Sequence, residues 1–250
     1  MRQLLSIILT LLLPTLLLSI SQGIGGKAGM GGKAGLGSGF NWSASPVQVA
    51  TDCNSGTTTC VLTFGGATTV GNTVFIPYAI FSSSPVSVTD NATPSNTYAI
   101  CGGDFVGHST HMGIYQAYIT NPSTVVTLTL SPAGPISAHG MEFSGGATSS
   151  CDAGGNAYGF SSSSSDVSST TTSLPQAASN ELYIAIDSVN GNPVQTLTTA
   201  GWTSCGFGSG GYGAVGCAWL VASDSSAHTA NWTWTGSTFY QSVPANFRHK

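Results

Sequence analysis

Between residues 34 and 247 the chain contains no lysine and no arginine. Its five cations are Arg2, Lys27, Lys33, Arg248 and Lys250. Residues 40–250 hold two of these against all nine acids, a formal charge of −7. Nucleic acid is excluded as a partner, because neutralising phosphates takes Lys and Arg. A Schiff-base lysine and an arginine clamp on phosphate are excluded within that stretch. Anionic membrane surfaces are poor partners for the same reason. Charge of either sign is scarce, 6% of residues against about a quarter in ordinary domains. Yet 41% of residues are hydrophobic, so the scarcity does not mean disorder. Helical periodicity is missing after the first 21 residues. No CxxC pair and no G-x-S-x-G nucleophile motif occurs. No fixed-period repeat is visible, which argues against a propeller or β-helix.

What is present begins with residues 1–21, MRQLLSIILTLLLPTLLLSIS. Arg2, the apolar run Leu4–Leu18 and the small residues Ser19 and Ser21 make an export signal cleaved before Gln22. The run is shorter than the ~20 residues of a membrane span, and Pro14 interrupts it. Six cysteines follow, an even number behind an export signal, which reads as three disulfides rather than a zinc site. Spacing pairs Cys53 with Cys60 and Cys205 with Cys217 across hairpin-like loops. Cys101 and Cys151 then pair by elimination. The expected location is secreted, extracellular or at the cell surface, with no transmembrane segment once the leader is removed.

Residues 22–39 repeat GGKAG and form a flexible Gly-rich linker. The GK pairs are followed by Ala28 and Ala34, so they are not phosphate loops. Residues 40–250 form the folded domain. Runs such as VLTFGG, NTVFIPYAIF, MGIYQAYIT, TVVTLTLS, ISAHGMEFSG and ELYIAIDSV are β-branched and aromatic, bounded by Gly, Ser, Asn or Pro. About a dozen short strands with frequent turns predict an all-β fold, a single β-sandwich of jelly-roll-like type.

The strings VTDNATPSNTY, GNTVFIPYAIF, MGIYQAYI, TVVTLTLS, MEFSGG followed by CDA, ASNELYIAI, GWTS and VPANFR resemble, in this order, a family of secreted bacterial β-sandwich domains. The likeness spans about residues 58–248, and its specificity lies in the order of the strings. It implies an exported sandwich of the kind found as a module of surface and adhesin-like proteins. It brings no catalytic set, and the cysteines lie outside its pattern.

Within ISAHGMEFSGG, His139 and Glu142 invite reading as an acid–base pair. On a strand, residues three apart point to opposite faces, so they are expected to be separate. Met141 and Phe143 are expected in the core, with Glu142 on the outer surface among small residues, as a structural anchor bonding nearby backbone or hydroxyls. A glycosidase needs two carboxylates about 5–10 Å apart. Glu142 with Asp152 is the candidate catalytic pair, Asp187 and Glu181 being other acids available. His108 and His111, with Asp104, are candidate metal ligands in a loop. Asp90, Asn91 and Asn96 are a candidate structural Ca²⁺ loop, against the alternative of an Asx-type turn, which we prefer. GFGSGG at 206–211 matches a dinucleotide fingerprint by glycine content alone. Trp42, Tyr212, Trp232 and Trp234 are the candidate ligand-binding residues. Trp232 and Trp234 share one face and would make a sugar-stacking platform if exposed, but their alternation with Thr and Asn favours burial, and Trp42 and Tyr212 are the better candidates for exposure. Asn41, Asn91 and Asn231 begin N-x-[ST] sequons.

The sequence therefore points to a non-catalytic extracellular binding or structural module with no cofactor, contacting carbohydrate or another neutral cell-surface component. The alternatives are a secreted glycosidase-like hydrolase using Glu142 with an Asp, and a self-assembling surface-layer or fibre subunit joined through sheet edges.

Overall fold

The computed structural model describes residues 42–55, 58–81, 87–107, 110–146, 159–161, 166–171, 181–191, 193–209, 213–224, 226–236, 238 and 240–247. The leader at 1–21, the linker at 22–39, and Cys151, Asp152, His108 and Tyr212 lie outside the described residues. All the strands belong to one compact unit, Ser38–Lys250.

Among the described residues ten strands precede residue 144: β1 (Gln48–Val49), β2 (Cys53–Ser55), β3 (Thr59–Thr63), β4 (Thr73–Phe81), β5 (Ser87–Asp90), β6 (Ala99–Gly107), β7 (Thr110–Tyr118), β8 (Val125–Thr129), β9 (Ile136–Ala138) and β10 (Met141–Phe143). Eight follow: β11 (Gly159–Ser161), β12 (Ser168–Thr170), β13 (Glu181–Asn190), β14 (Gln195–Leu197), β15 (Thr203–Ser209), β16 (Gly213–Ala222), β17 (Asn231–Trp234) and β18 (Tyr240–Phe247). All the ladders are antiparallel.

The expected all-β sandwich is present, and it is doubled. Four sheets stack in the order three, seven, five and three strands. The first three-stranded sheet (β3-β8-β5) packs Leu62, Val126 and Leu128 onto Val74, Ile76 and Tyr78 of the seven-stranded sheet. The other face of that sheet carries Phe75, Met112, Ile114, Met141 and Phe143 against Leu182, Ile184, Ile186, Val243 and Phe247 of the five-stranded sheet (β11-β18-β13-β16-β15). The five-stranded sheet turns Tyr183, Ala185 and Ala218 toward Trp232 of the second three-stranded sheet (β12-β17-β14). The two inner sheets are thus covered on both faces. This is why β4 is buried at every position and β13 at all but its last. Each Leu, Ile or Phe so enclosed contributes about 1.5–3 kcal/mol of transfer free energy. The outer strands keep strict alternation, as in Thr59–Thr63 with only Cys60 and Leu62 buried.

The two halves repeat one topology. In the first, the strands of the large sheet run β1-β10-β4-β7-β6 beside β3-β8-β5; in the second, β11-β18-β13-β16-β15 stands beside β12-β17-β14. Taking β1, β3–β8 and β10 as the counterparts of β11–β18 in chain order reproduces both sheets strand for strand. The additional strands of the first half are β2 and β9, which pair with each other. Registers match as well: Val74 lies opposite Glu142 and Ala117, and Tyr183 lies opposite Asn246 and Leu220. Sequence periodicity does not show this duplication, because few side chains coincide between the halves.

Candidate functional site

Strand β10 runs between β1 and β4, so its alternating side chains face different layers. Met141 and Phe143 enter the core between the two large sheets. Glu142 points the other way. It is fully buried, which corrects the expectation of an outer-surface position. Its carboxylate accepts hydrogen bonds from Gln48 Nε2 at 2.5 Å, Asn72 Nδ2 at 2.6 Å and the Thr69 backbone N–H at 2.8 Å. The physical reason is that the chain leading into β4 folds over β10 and supplies amide donors where solvent was expected. The second half repeats the arrangement with the partners exchanged: Asn246 Nδ2 donates to the buried Glu181 at 2.8 Å. Asn246 stands at the register position of Glu142. Both glutamates of the chain are therefore acid–amide pins of the framework.

Trp42 also departs from expectation. It is buried, donates from Nε1 to the Phe247 carbonyl at 3.0 Å, and packs against Phe75 and Phe143 at ring distances of 5.6 and 6.3 Å. Its segment joins the large-sheet core instead of continuing the linker, through the bond from the Ser43 N–H to the Ser144 carbonyl. Trp232 is buried between the five-stranded and second three-stranded sheets, and Trp234 is buried beside Tyr240, with ring centroids 5.9 Å apart. None of these three indoles forms a stacking platform.

Asp90 and Asn96 build a closed turn. Asp90 accepts from the N–H groups of Ala92 and Asn96, from Ser95 Oγ and Asn96 Nδ2, and from the Tyr98 hydroxyl. Burial, and then the Asp90 carboxylate, push the Tyr98 phenol far up. Asn96 Oδ1 accepts from the N–H groups of Thr120 and Asn121. Asn91 Oδ1 accepts from those of Thr124 and Val125. The oxygens a calcium ion would take are bonded to N–H and O–H donors, which is the Asx-turn arrangement. His111 stands on β7 opposite Ile80 and Val106. Among the described residues no group of three His, Cys, Asp or Glu is placed to hold a metal.

Sequence reasoning missed two ionisable pairs: His228 Nε2 lies 3.1 Å from Asp224 Oδ1, and the second involves His139. His139 Nδ1 contacts Asp52 Oδ1. The pair forms because β2 and β9 align Cys53 with Ala138, bringing their neighbours together. Gly206, at φ +127°, passes close enough that a Cβ there would lie 3.4 Å from Asp52 Oδ2. His139 thus faces the five-stranded sheet while Glu142 faces away from it, as strand alternation requires. Cysteines adjoin the pair on both sides. Cys53–Cys60 and Cys205–Cys217 are bonded, with Cα separations of 5.7 and 5.2 Å. Cys101 is disulfide-bonded as well, and its expected partner Cys151 lies outside the described residues. Disulfides fit an extracellular location. Among the described residues no helix is long and apolar enough to cross a membrane.

The two outermost faces share a chemistry of their own. On the first three-stranded sheet, cross-strand rows read Thr59–Thr129–Ser87 and Val61–Thr127–Thr89, with all but Thr127 well exposed. On the second, the row Ser168–Thr233–Thr196 is exposed throughout. These rows contain hydroxyls and methyls and no charge. Neighbouring strands set the side chains about 4.8 Å apart across a row, and alternate residues set them about 6.7 Å apart along a strand. No signal in the sequence distinguishes these threonines from those inside, because the strand pairing decides which three strands lie outermost. No family model, no curated protein and no solved structure matches this chain.

Proposed function

We propose that this chain is a secreted, non-catalytic extracellular module that contacts a neutral, hydroxyl-rich surface such as carbohydrate. The observation that carries the reading is the three uncharged, hydroxyl-rich rows on the two outermost sheets. Hydroxyls donate and accept without a charge to desolvate, and the methyl groups of Thr and Val give such a face apolar area as well. The burial of Glu142 under three donors supports a binding role over the hydrolase alternative. A leader at 1–21, a linker at 22–39 and the likeness to secreted surface modules agree with it.

The test is retention on insoluble neutral polysaccharides, cellulose, chitin and mannan, at low and high salt. Retention on at least one, independent of salt, is expected, since no ion pair is involved. Replacing Thr89 and Thr127 by Lys together with Thr196 and Thr233 by Lys is expected to reduce retention at least tenfold while leaving the melting temperature nearly unchanged. Equal retention of the quadruple variant, or no retention of the wild type on any of the three, overturns the reading.

A further inference from the structure

Asp187 is an acid in the middle of the apolar strand β13, and it is fully buried. Its side chain faces the second three-stranded sheet, where Gln195 Nε2 of β14 donates to Oδ2 at 2.5 Å. Five buried polar atoms at or beside it have no assigned hydrogen-bond partner: Asp187 Oδ1, Gln195 Oε1, Trp232 Nε1, the Ser169 hydroxyl, which bears on the same carboxyl, and the hydroxyl of Ser242, which stands opposite Asp187 on β18. The indole and amide atoms lie around one point beside the strand position of Asp187. Gly216 stands opposite Asp187 on β16, and a Cβ there would lie 2.9 Å from Trp232 Nε1 and 3.0 Å from Gln195 Oε1. The bare glycine is what lets the indole and the amide reach in beside the carboxyl. Leaving such a group unpaired forfeits its hydration without replacement, and native interiors nearly always pair them.

The first half shows the same place filled with carbon. Tyr78 lies four residues along β4 from Val74, as Asp187 lies four along β13 from Tyr183, and each faces a glycine, Gly113 or Gly216. There the Tyr78 ring stacks on Tyr115 at 5.3 Å. In the second half the corresponding residues are the smaller Asp187 and Ala218, and the polar ends of Gln195 and Trp232 come in from the facing sheet.

We propose that this space binds one water molecule, hydrogen-bonded to Trp232 Nε1, Gln195 Oε1 and Asp187 Oδ1. The partner set selects the ligand. A metal cation would meet the indole N–H, and an anion would meet the oxygens of Gln195 and Asp187. Water accepts from the indole, donates to the amide oxygen, and bonds the carboxyl in either direction. Three partners is the usual number for a buried water. Burial also pushes Asp187 up to about 8, and the side chains of Ser169 and Gln195 only partly offset it. The neutral acid offers a cation no charge.

High-resolution crystallography of the wild-type protein at neutral pH, with a parallel thallium(I) soak, tests this. The expected result is one solvent peak within hydrogen-bonding distance of all three atoms, silent in the thallium anomalous map. A direct Trp232–Gln195 hydrogen bond with no density between the groups overturns the proposal. So does an anomalous peak, which would make this a cation site. In solution, the assigned Trp232 indole proton is expected to show a cross-peak to long-lived water, and its absence counts equally against the site.

Discussion

Asp187 shows what a single residue can do to the whole stability curve. Its carboxyl moves from an ordinary 3.8 to about 8 because burial penalises the charged form. The folded protein therefore holds this proton over a range where the unfolded chain has released it. A group with a raised folded value contributes stability that is complete below its unfolded value and lost as pH climbs through the folded one. Stability is expected to decline from pH 4 toward pH 8, after which this contribution is spent. Among the described residues Tyr240 is a titratable group that feels the Asp187 charge. Tyr240 is itself raised, by burial and then by Asp166 and Asp187, so it stays neutral throughout this window. Asp187→Asn is expected to flatten the slope between pH 4 and 8, read from urea midpoints across that range. A slope unchanged in the variant would mean that another group carries it. The letter was legible in ELYIAIDSV as an acid in an apolar strand. Its partners, Gln195 and Trp232, were not, because they arrive from strands of a different sheet.

At the scale of elements, Glu142 ties three pieces together. Gln48 belongs to β1, Glu142 to β10, and Thr69 and Asn72 to the segment entering β4. Glu142→Ala would leave the amide donors buried without an acceptor. A loss of about 3 kcal/mol is expected, as for other broken buried charge interactions, measurable as a lowered urea midpoint at constant m. A change below about 0.5 kcal/mol, the range of ordinary surface sites, would show that the carboxylate pins nothing. Strand alternation correctly separated His139 from Glu142 and sent Met141 and Phe143 inward. It could not say that Glu142 would be covered, since that depends on the returning chain at Thr69 and Asn72. The local disulfides were readable for a related reason: Cys53–Cys60 and Cys205–Cys217 are 7 and 12 residues apart, so chain proximity alone favours them. Asp52 and His139, 87 residues apart, had no such cue.

On the scale of the molecule, the two halves meet through their large sheets. Phe75 and Phe247 come from opposite halves, and their rings lie 4.3 Å apart. Trp42 of the first half bonds the Phe247 carbonyl of the second. Either half alone would expose the apolar face that now packs Ile184, Val243 and Phe247 against Phe75, Met141 and Phe143. The described domain is therefore expected to unfold in one transition, with tryptophan fluorescence and far-UV circular dichroism coincident. Two separated transitions, one for each half, would show that the shared core contributes little. Doubling also leaves a Ser/Thr face on each outermost sheet, so the proposed contact surface occurs twice.

The sequence by itself determined the all-β class, the scarcity of charge, the local disulfides and the alternation along β10. These follow from composition and from spacings of a few residues, where chain geometry leaves little freedom. Tertiary structure alone decided that the sandwich is doubled, that Glu142 and Trp42 are inside, that Asp187 sits among unpaired polar atoms, and which threonines face outward. Each of these depends on which sheet covers which face. An antiparallel strand with both faces buried and one with a single face buried can begin from the same apolar letters, and only packing against a second layer separates them.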